Sequence, residues 1–101
     1  MRIVLSVGGN ALLKRAEAMS EEAQRRNIRE AVRSMGRILN EHEVLITHGN
    51  GPQVGLLALQ AESYKDVPPY GLDILGAESQ AMVGYMLLTA LQKALPQKHF
   101  V

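Results

Sequence analysis

Cysteine is absent from the 101 residues, which excludes disulfides, zinc–thiolate centres and thiol catalysis. A strong charge imbalance is missing too. Eleven basic and ten acidic residues leave a net charge of +1, too even for a general electrostatic pull on nucleic acid or an anionic membrane surface. No apolar stretch runs unbroken for about eighteen residues, as a membrane span needs. The opening apolar segment stops at Gly8-Gly9 without the charged leader and cleavage site of a signal peptide. These absences predict a cytoplasmic protein with no nucleic-acid or membrane partner, in which any bound anion is held by local groups. The length suits one domain with one core, near the small end for an α/β fold.

The pattern of what is present predicts that fold. Arg2 to Val7 (RIVLSV) is aliphatic and β-branched and runs into two glycines, as a central parallel strand buried on both faces does before a turn. After a polar stretch from Lys14 to Met19, Ser20 caps a helix whose first turn holds Glu21 and Glu22, both favourable at the positive helix end. Ile28, Ala31, Val32, Met35, Ile38 and Leu39 recur at the spacing of one helical stripe, and Asn40 closes the helix. Glu43 to Thr47 (EVLIT) reads as a second strand. Strand, helix and strand make a βαβ unit with parallel strands and a right-handed crossover.

Pro52 fits the first turn of the next helix, which extends to Glu62. Lys65 to Leu72, with Pro68, Pro69 and Gly71, reads as a loop. Asp73 is the expected cap of a last helix, Ile74 to Leu95. Ala77, Ala81, Gly84, Leu88, Leu91 and Leu95 lie on one side of it, and Met82, Tyr85, Met86 and Thr89 on another. Such a helix calls for two packing partners, the sheet and a second subunit. Pro96 ends it, and His99-Phe100-Val101 reads as the start of a third strand.

Two turns carry the chemistry: Gly8-Gly9-Asn10, and His48-Gly49-Asn50-Gly51-Pro52. The βαβ argument puts both at the carboxyl edge of the sheet, where open α/β folds bind ligands. Glycines let backbone N–H groups approach an anion, with left-handed residues forming a concavity, and Gly51 and Pro52 open a helix behind it. Asn10 and Asn50 tolerate left-handed backbone and add neutral NH₂ donors for a phosphoryl oxygen. His48 and Gln53 are further candidates, His48 either as a donor or as a residue that fixes the turn. Gly49, Gly51 and Gly55 only weakly imitate a dinucleotide fingerprint, and no P-loop occurs. Lys14 and Arg15 follow the first turn, but a solvated loop explains them. Arg25, Arg29, Arg33 and Arg37 form a basic stripe, read as a solvated face with weak ion pairs to neighbouring glutamates. No metal ligands are read from the sequence.

The segments Val7-Gly8-Gly9-Asn10-Ala11-Leu12, His48-Gly49-Asn50-Gly51-Pro52-Gln53-Val54-Gly55 and Gly84-Tyr85-Met86 together resemble the N-terminal part of carbamate kinases, in the amino acid kinase superfamily. The resemblance covers nearly the whole chain. It implies a three-layer αβα sandwich with a mainly parallel sheet, here truncated, residues 1–101 being the N-terminal part of an amino acid kinase-like domain. It further implies reversible phosphoryl transfer between ATP and carbamate, giving ADP and carbamoyl phosphate, with Mg²⁺, in arginine metabolism, by a homodimer. Gly8, Gly9, Asn10, Gly49, Asn50 and Gly51 would surround the phosphoryl group and the carbamate. Related kinases of acetylglutamate, aspartate and uridylate carry a lysine where this chain has Ser6, a departure typical of carbamate kinases. The family's catalytic lysines and aspartate belong to its C-terminal part, so the 101 residues alone are expected to be inactive. The alternative is a non-catalytic module that binds a phosphorylated metabolite or self-associates.

Overall fold

Two strands, β1 (Arg2–Val7) and β2 (Glu43–His48), pair in parallel with Arg2 opposite Glu43 and Val7 opposite His48. The structure is a computed structural model that describes all 101 residues except the side chain of Asn10. Leu5, Val7, Val44 and Ile46 turn to one face and pack on the core. Val4 and Leu45, on the other face, are 68% and 64% exposed. The burial of β1 on both faces that its composition predicts is therefore met on one face only, because no element of these residues covers the second.

A one-turn helix, α1 (Gly9–Leu12), follows β1 directly. It stands where the sequence pattern shows only a turn, since four residues are too few for a periodic signal. The crossover is α2 (Glu21–Glu41), and the hydroxyl of Ser20 caps it by accepting from the Ala23 N–H at 3.1 Å. Ile28, Val32, Met35 and Leu39 form its buried face with Ala23, Gln24 and Asn27, while Ile38 is exposed. Two of those buried residues are amides, which apolar periodicity does not register.

The third helix, α3 (Gly51–Ser63), begins at Gly51 with Pro52 in its first turn, and Gln53 is its one fully buried residue. The last, α4 (Leu72–Ala94), is capped by Gly71 rather than by Asp73. The Gly71 carbonyl accepts from the N–H groups of Ile74 and Leu75, both at 3.1 Å. Asp73 instead folds back over Gly71, its carboxylate 2.7 Å from where a β-carbon would stand.

The inner face of α4 draws on both of the sides read from the sequence. Leu75, Ser79, Val83, Met86, Leu87 and Leu91 are buried, whereas Ala77, Ala81 and Leu88 face outward. By length and composition α4 is apolar enough to cross a membrane. Its apolarity is used in the core, where Val83, Met86, Leu87 and Leu91 join the cluster formed by α2 and β1. The expected third strand is not formed: the sheet has two strands. Phe100 packs on the core as a side chain, and Lys98 anchors the segment by donating to the carbonyls of Leu39 and His42.

Between α1 and α2 the chain makes a tight turn closed by the Glu17 N–H to the Lys14 carbonyl at 3.1 Å. Ala16 lies in this turn with φ 62°, the only described residue in the left-handed region. The Glu17 carboxylate accepts from the Asn27 side chain at 2.7 Å and the Lys14 N–H at 3.1 Å, and pairs with Arg26. These donors, Asn27 foremost, hold its pKa below the usual 4.5 against the opposing effect of burial.

Two outcomes follow from this turn. Ala16→Gly removes a left-handed strain and raises stability by about 0.5–1 kcal/mol in urea unfolding. Because the folded pKa of Glu17 is depressed, its contribution is complete above the unfolded value of 4.5 and is lost as pH falls through the folded value. Glu17→Gln therefore flattens the acid side of the stability profile below that pH, as read from urea midpoints measured across the acid range. An unchanged acid slope would show that the carboxylate is not the group responsible.

Candidate functional site

The pairing of Val7 with His48 fixes where the two turns stand. Parallel strands lie about 4.8 Å apart, so Gly8 and Gly49 leave the sheet side by side at its carboxyl edge. Gly8 is extended, with φ −78° and ψ 172°, and leads into α1. Asn50, with φ −150° and ψ 14°, caps α3, and its carbonyl accepts from the Val54 N–H at 2.9 Å. The N–H groups of Gly51 and Gln53 are among those that the first turn of a helix leaves unpaired.

The left-handed geometry expected of the turns is not adopted: no glycine has positive φ, and the φ of Asn50 is negative. The turn chemistry is simpler, because each strand passes straight into a helix. A β-carbon added at Gly8, Gly9, Gly49 or Gly51 would meet nothing within 4 Å. Neither backbone strain nor packing inside the chain therefore requires glycine at these positions. Their common feature is open space beside exposed peptide groups.

Side chains around the second turn bind it to the helices. The Asn50 amide donates to the Ser79 hydroxyl at 2.6 Å, and Ser79 passes a hydrogen bond to the Gly76 carbonyl at 2.7 Å. One donor hydrogen of Asn50 is thus directed at α4. Gln53 is fully buried and donates to Gln24 of α2 at 3.0 Å, while its own carbonyl oxygen has no partner among the described residues. The His48 ring lies 3.0 Å from the Gly49 carbonyl through Nδ1, and its Nε2 sits 3.6 Å from where a β-carbon of Gly84 would stand. A β-carbon there would make an ordinary van der Waals contact with the ring. Asn10 belongs to α1 by its backbone, and its side chain lies outside the described residues.

Neither Ser79 nor Gln24 is marked as a site residue by any motif in the sequence. Ser79 is the one polar residue on the buried face of α4, but Glu78 and Gln80 flank it in sequence, so no local pattern marks it. Near the first turn, Ser6, Gly8, Lys14 and Glu30 border one cavity of about 390 Å³. The Lys14 ammonium is there, but it is 3.2 Å from the Glu30 carboxylate and paired with it. The two turns accordingly present neutral N–H donors, an arrangement suited to oxygen atoms of a phosphoryl or carboxylate group and not to a cation.

A parallel βαβ unit whose carboxyl edge carries two glycine turns defines a class. The sequence profile of the amino acid kinase family matches residues 1–101, and the chain belongs to that family. It is similar to the carbamate kinase of Rhizobium meliloti, with 56% identity over 96 residues, 95% of this chain and 30% of the relative. Similarity to the carbamate kinase of Pyrococcus furiosus is 40% over 101 residues, covering 96% of this chain and 32% of the relative. Among solved structures, a carbamate kinase from Giardia lamblia bound to AMP-PNP matches with a TM-score of 0.89 and 34% identity, covering 94% of this chain and 34% of that one. The chain spans about 30% of the length of the curated relatives it matches. The predicted α/β class with a parallel sheet is borne out.

Ser79→Ala leaves the Asn50 amide facing α4 with only the Gly76 carbonyl, at 3.4 Å. The loss of a buried acceptor costs about 1–3 kcal/mol, measurable by urea unfolding. A cost near zero would mean that the amide turns to solvent and that α4 does not hold the second turn.

Proposed function

We propose that this chain is the N-terminal portion of a carbamate kinase and supplies the uncharged half of its phosphoryl-transfer site. The observation that carries the reading is the pair of glycine turns set side by side by strand register, with open space at all four glycines. Likeness to carbamate kinases supports the choice among phosphotransferases.

In this reading Gly8, Gly9, Asn10, Gly49, Asn50 and Gly51 surround the transferring group. Carbamate is already an anionic nucleophile, so transfer to ADP or from ATP needs position and charge stabilisation and no general base. Backbone N–H groups fixed in advance supply part of that stabilisation without reorganising during the reaction. His48 and Gln53 act as positioning residues, the first against α4 and the second against α2. The Giardia enzyme's AMP-PNP supports ATP and ADP as partners. Magnesium, which the reading includes as the companion of the nucleotide, finds no fitting ligands at the two turns, since these present donors.

The same reading includes a cytoplasmic homodimer working in arginine metabolism. Ile74, Ala81, Tyr85 and Leu88 fall on one exposed stripe of α4, with Tyr85 63% exposed, and this stripe supports self-association. In this reading the 101 residues alone are inactive, because the family's catalytic lysines and aspartate belong to its C-terminal part, while Lys14, beside the first turn, is paired with Glu30.

Two measurements test this. The purified chain should make no ATP from ADP and carbamoyl phosphate above a protein-free control, and formation of ATP would overturn the claim of inactivity. Saturating carbamoyl phosphate should slow hydrogen exchange at the Gly8 and Gly51 amides. Gly49→Ala should abolish that protection while changing stability by less than about 0.5 kcal/mol. Absence of protection in the unaltered chain would rule out binding at these turns.

A further inference from the structure

We infer that the groove between α2 and α4, away from the two glycine turns, is a binding site for a small organic phosphate with an apolar body. Arg25, Arg29 and Arg33 from α2 and Lys93 from α4 border a cavity of about 340 Å³. Its floor is apolar, formed by Val32, Met86 and Ala90, the first two of them core residues. A volume of this size lies within the range of small-molecule sites, which combine an apolar lining with a few convergent polar groups.

The charge arrangement is specific to this groove. Elsewhere on α2 the arginines are neutralised: Arg26 by Glu17 and Arg37 by Glu41. Within the groove Arg25 has Glu21 at 2.8 Å, but Arg29, Arg33 and Lys93 have no carboxylate partner among the described residues. Arg25, Arg29 and Arg33 also follow one another at i, i+4, a spacing at which like charges repel. An anion between them relieves that repulsion. Guanidinium groups hold phosphate through paired N–H donors, and the apolar floor accepts the rest of the molecule. The basic stripe read from sequence as a solvated face is thus divided: Arg37 is ion-paired outside the cavity, Arg25 is ion-paired at its border, and Arg29 and Arg33 border it without a carboxylate partner.

Naphthyl phosphate, naphthol and inorganic phosphate are the probes, each titrated into the intact chain by calorimetry and by amide chemical shifts. Naphthyl phosphate should bind saturably with Kd below about 1 mM, shifting amides of Val32 and Ala90 and leaving Gly8 and Gly49 unmoved. Arg29→Gln with Arg33→Gln should weaken it by about tenfold or more, and Lys93→Gln should weaken it from the other helix. Arg37→Gln, on the same helix and outside the cavity, should change nothing. Arg29, Arg33, Arg37 and Lys93 are exposed, so the variants keep the fold, as circular dichroism will verify. Lack of saturable binding, equal binding by naphthol, undiminished binding by the double variant, or shifts confined to Gly8 and Gly49 would each overturn the proposal. The last outcome would instead place phosphate at the turns, so this test and that of the proposed function fail separately.

Discussion

The parallel pairing of β1 with β2 is the constraint on which the rest depends. Six residue pairs run from Arg2 with Glu43 to Val7 with His48. A slip of one residue would turn one strand's apolar set to the opposite face, removing Leu5 and Val7, or Val44 and Ile46, from the core. Burial against α2 and α4 therefore specifies register. Register in turn puts Gly8 beside Gly49, so that two turns distant in sequence are held at one level.

The apolar core positions the helices only in part. In α3 the one fully buried residue is Gln53, and it is held by Gln24. The second turn is tied to α4 through Asn50 and Ser79, and the first loop to α2 through Asn27 and Glu17. A buried amide is costly unless bonded, so each of these contacts selects one arrangement of its helices over near alternatives with equal apolar burial. This is how the structure combines open space at the glycines with fixed peptide groups beside them.

Charge is divided along the molecule in a similar way. The carboxyl edge of the sheet carries neutral donors and a lysine already paired with Glu30. Unpaired cations gather between α2 and α4. A net charge of +1 conceals this division, since composition averages over faces that the fold separates.

Local patterns in the sequence determined the βαβ unit, the Ser20 cap, the α2 stripe and the positions of the glycine turns. Each depends on neighbours within a few residues, so periodicity and cap chemistry suffice to read them. The match of the turn segments to a family added the kind of chemistry. Tertiary structure decided the rest. It chose the buried face of α4, which is apolar nearly all round and so gives no directional signal. It moved the cap from Asp73 to Gly71, left His99 to Val101 without a partner strand, and gave the turns no left-handed residue. It also assigned Asn50, Gln53 and His48 their neighbours, because contacts such as Asn50 with Ser79 join residues 29 apart and only the packed chain brings such groups within hydrogen-bonding distance.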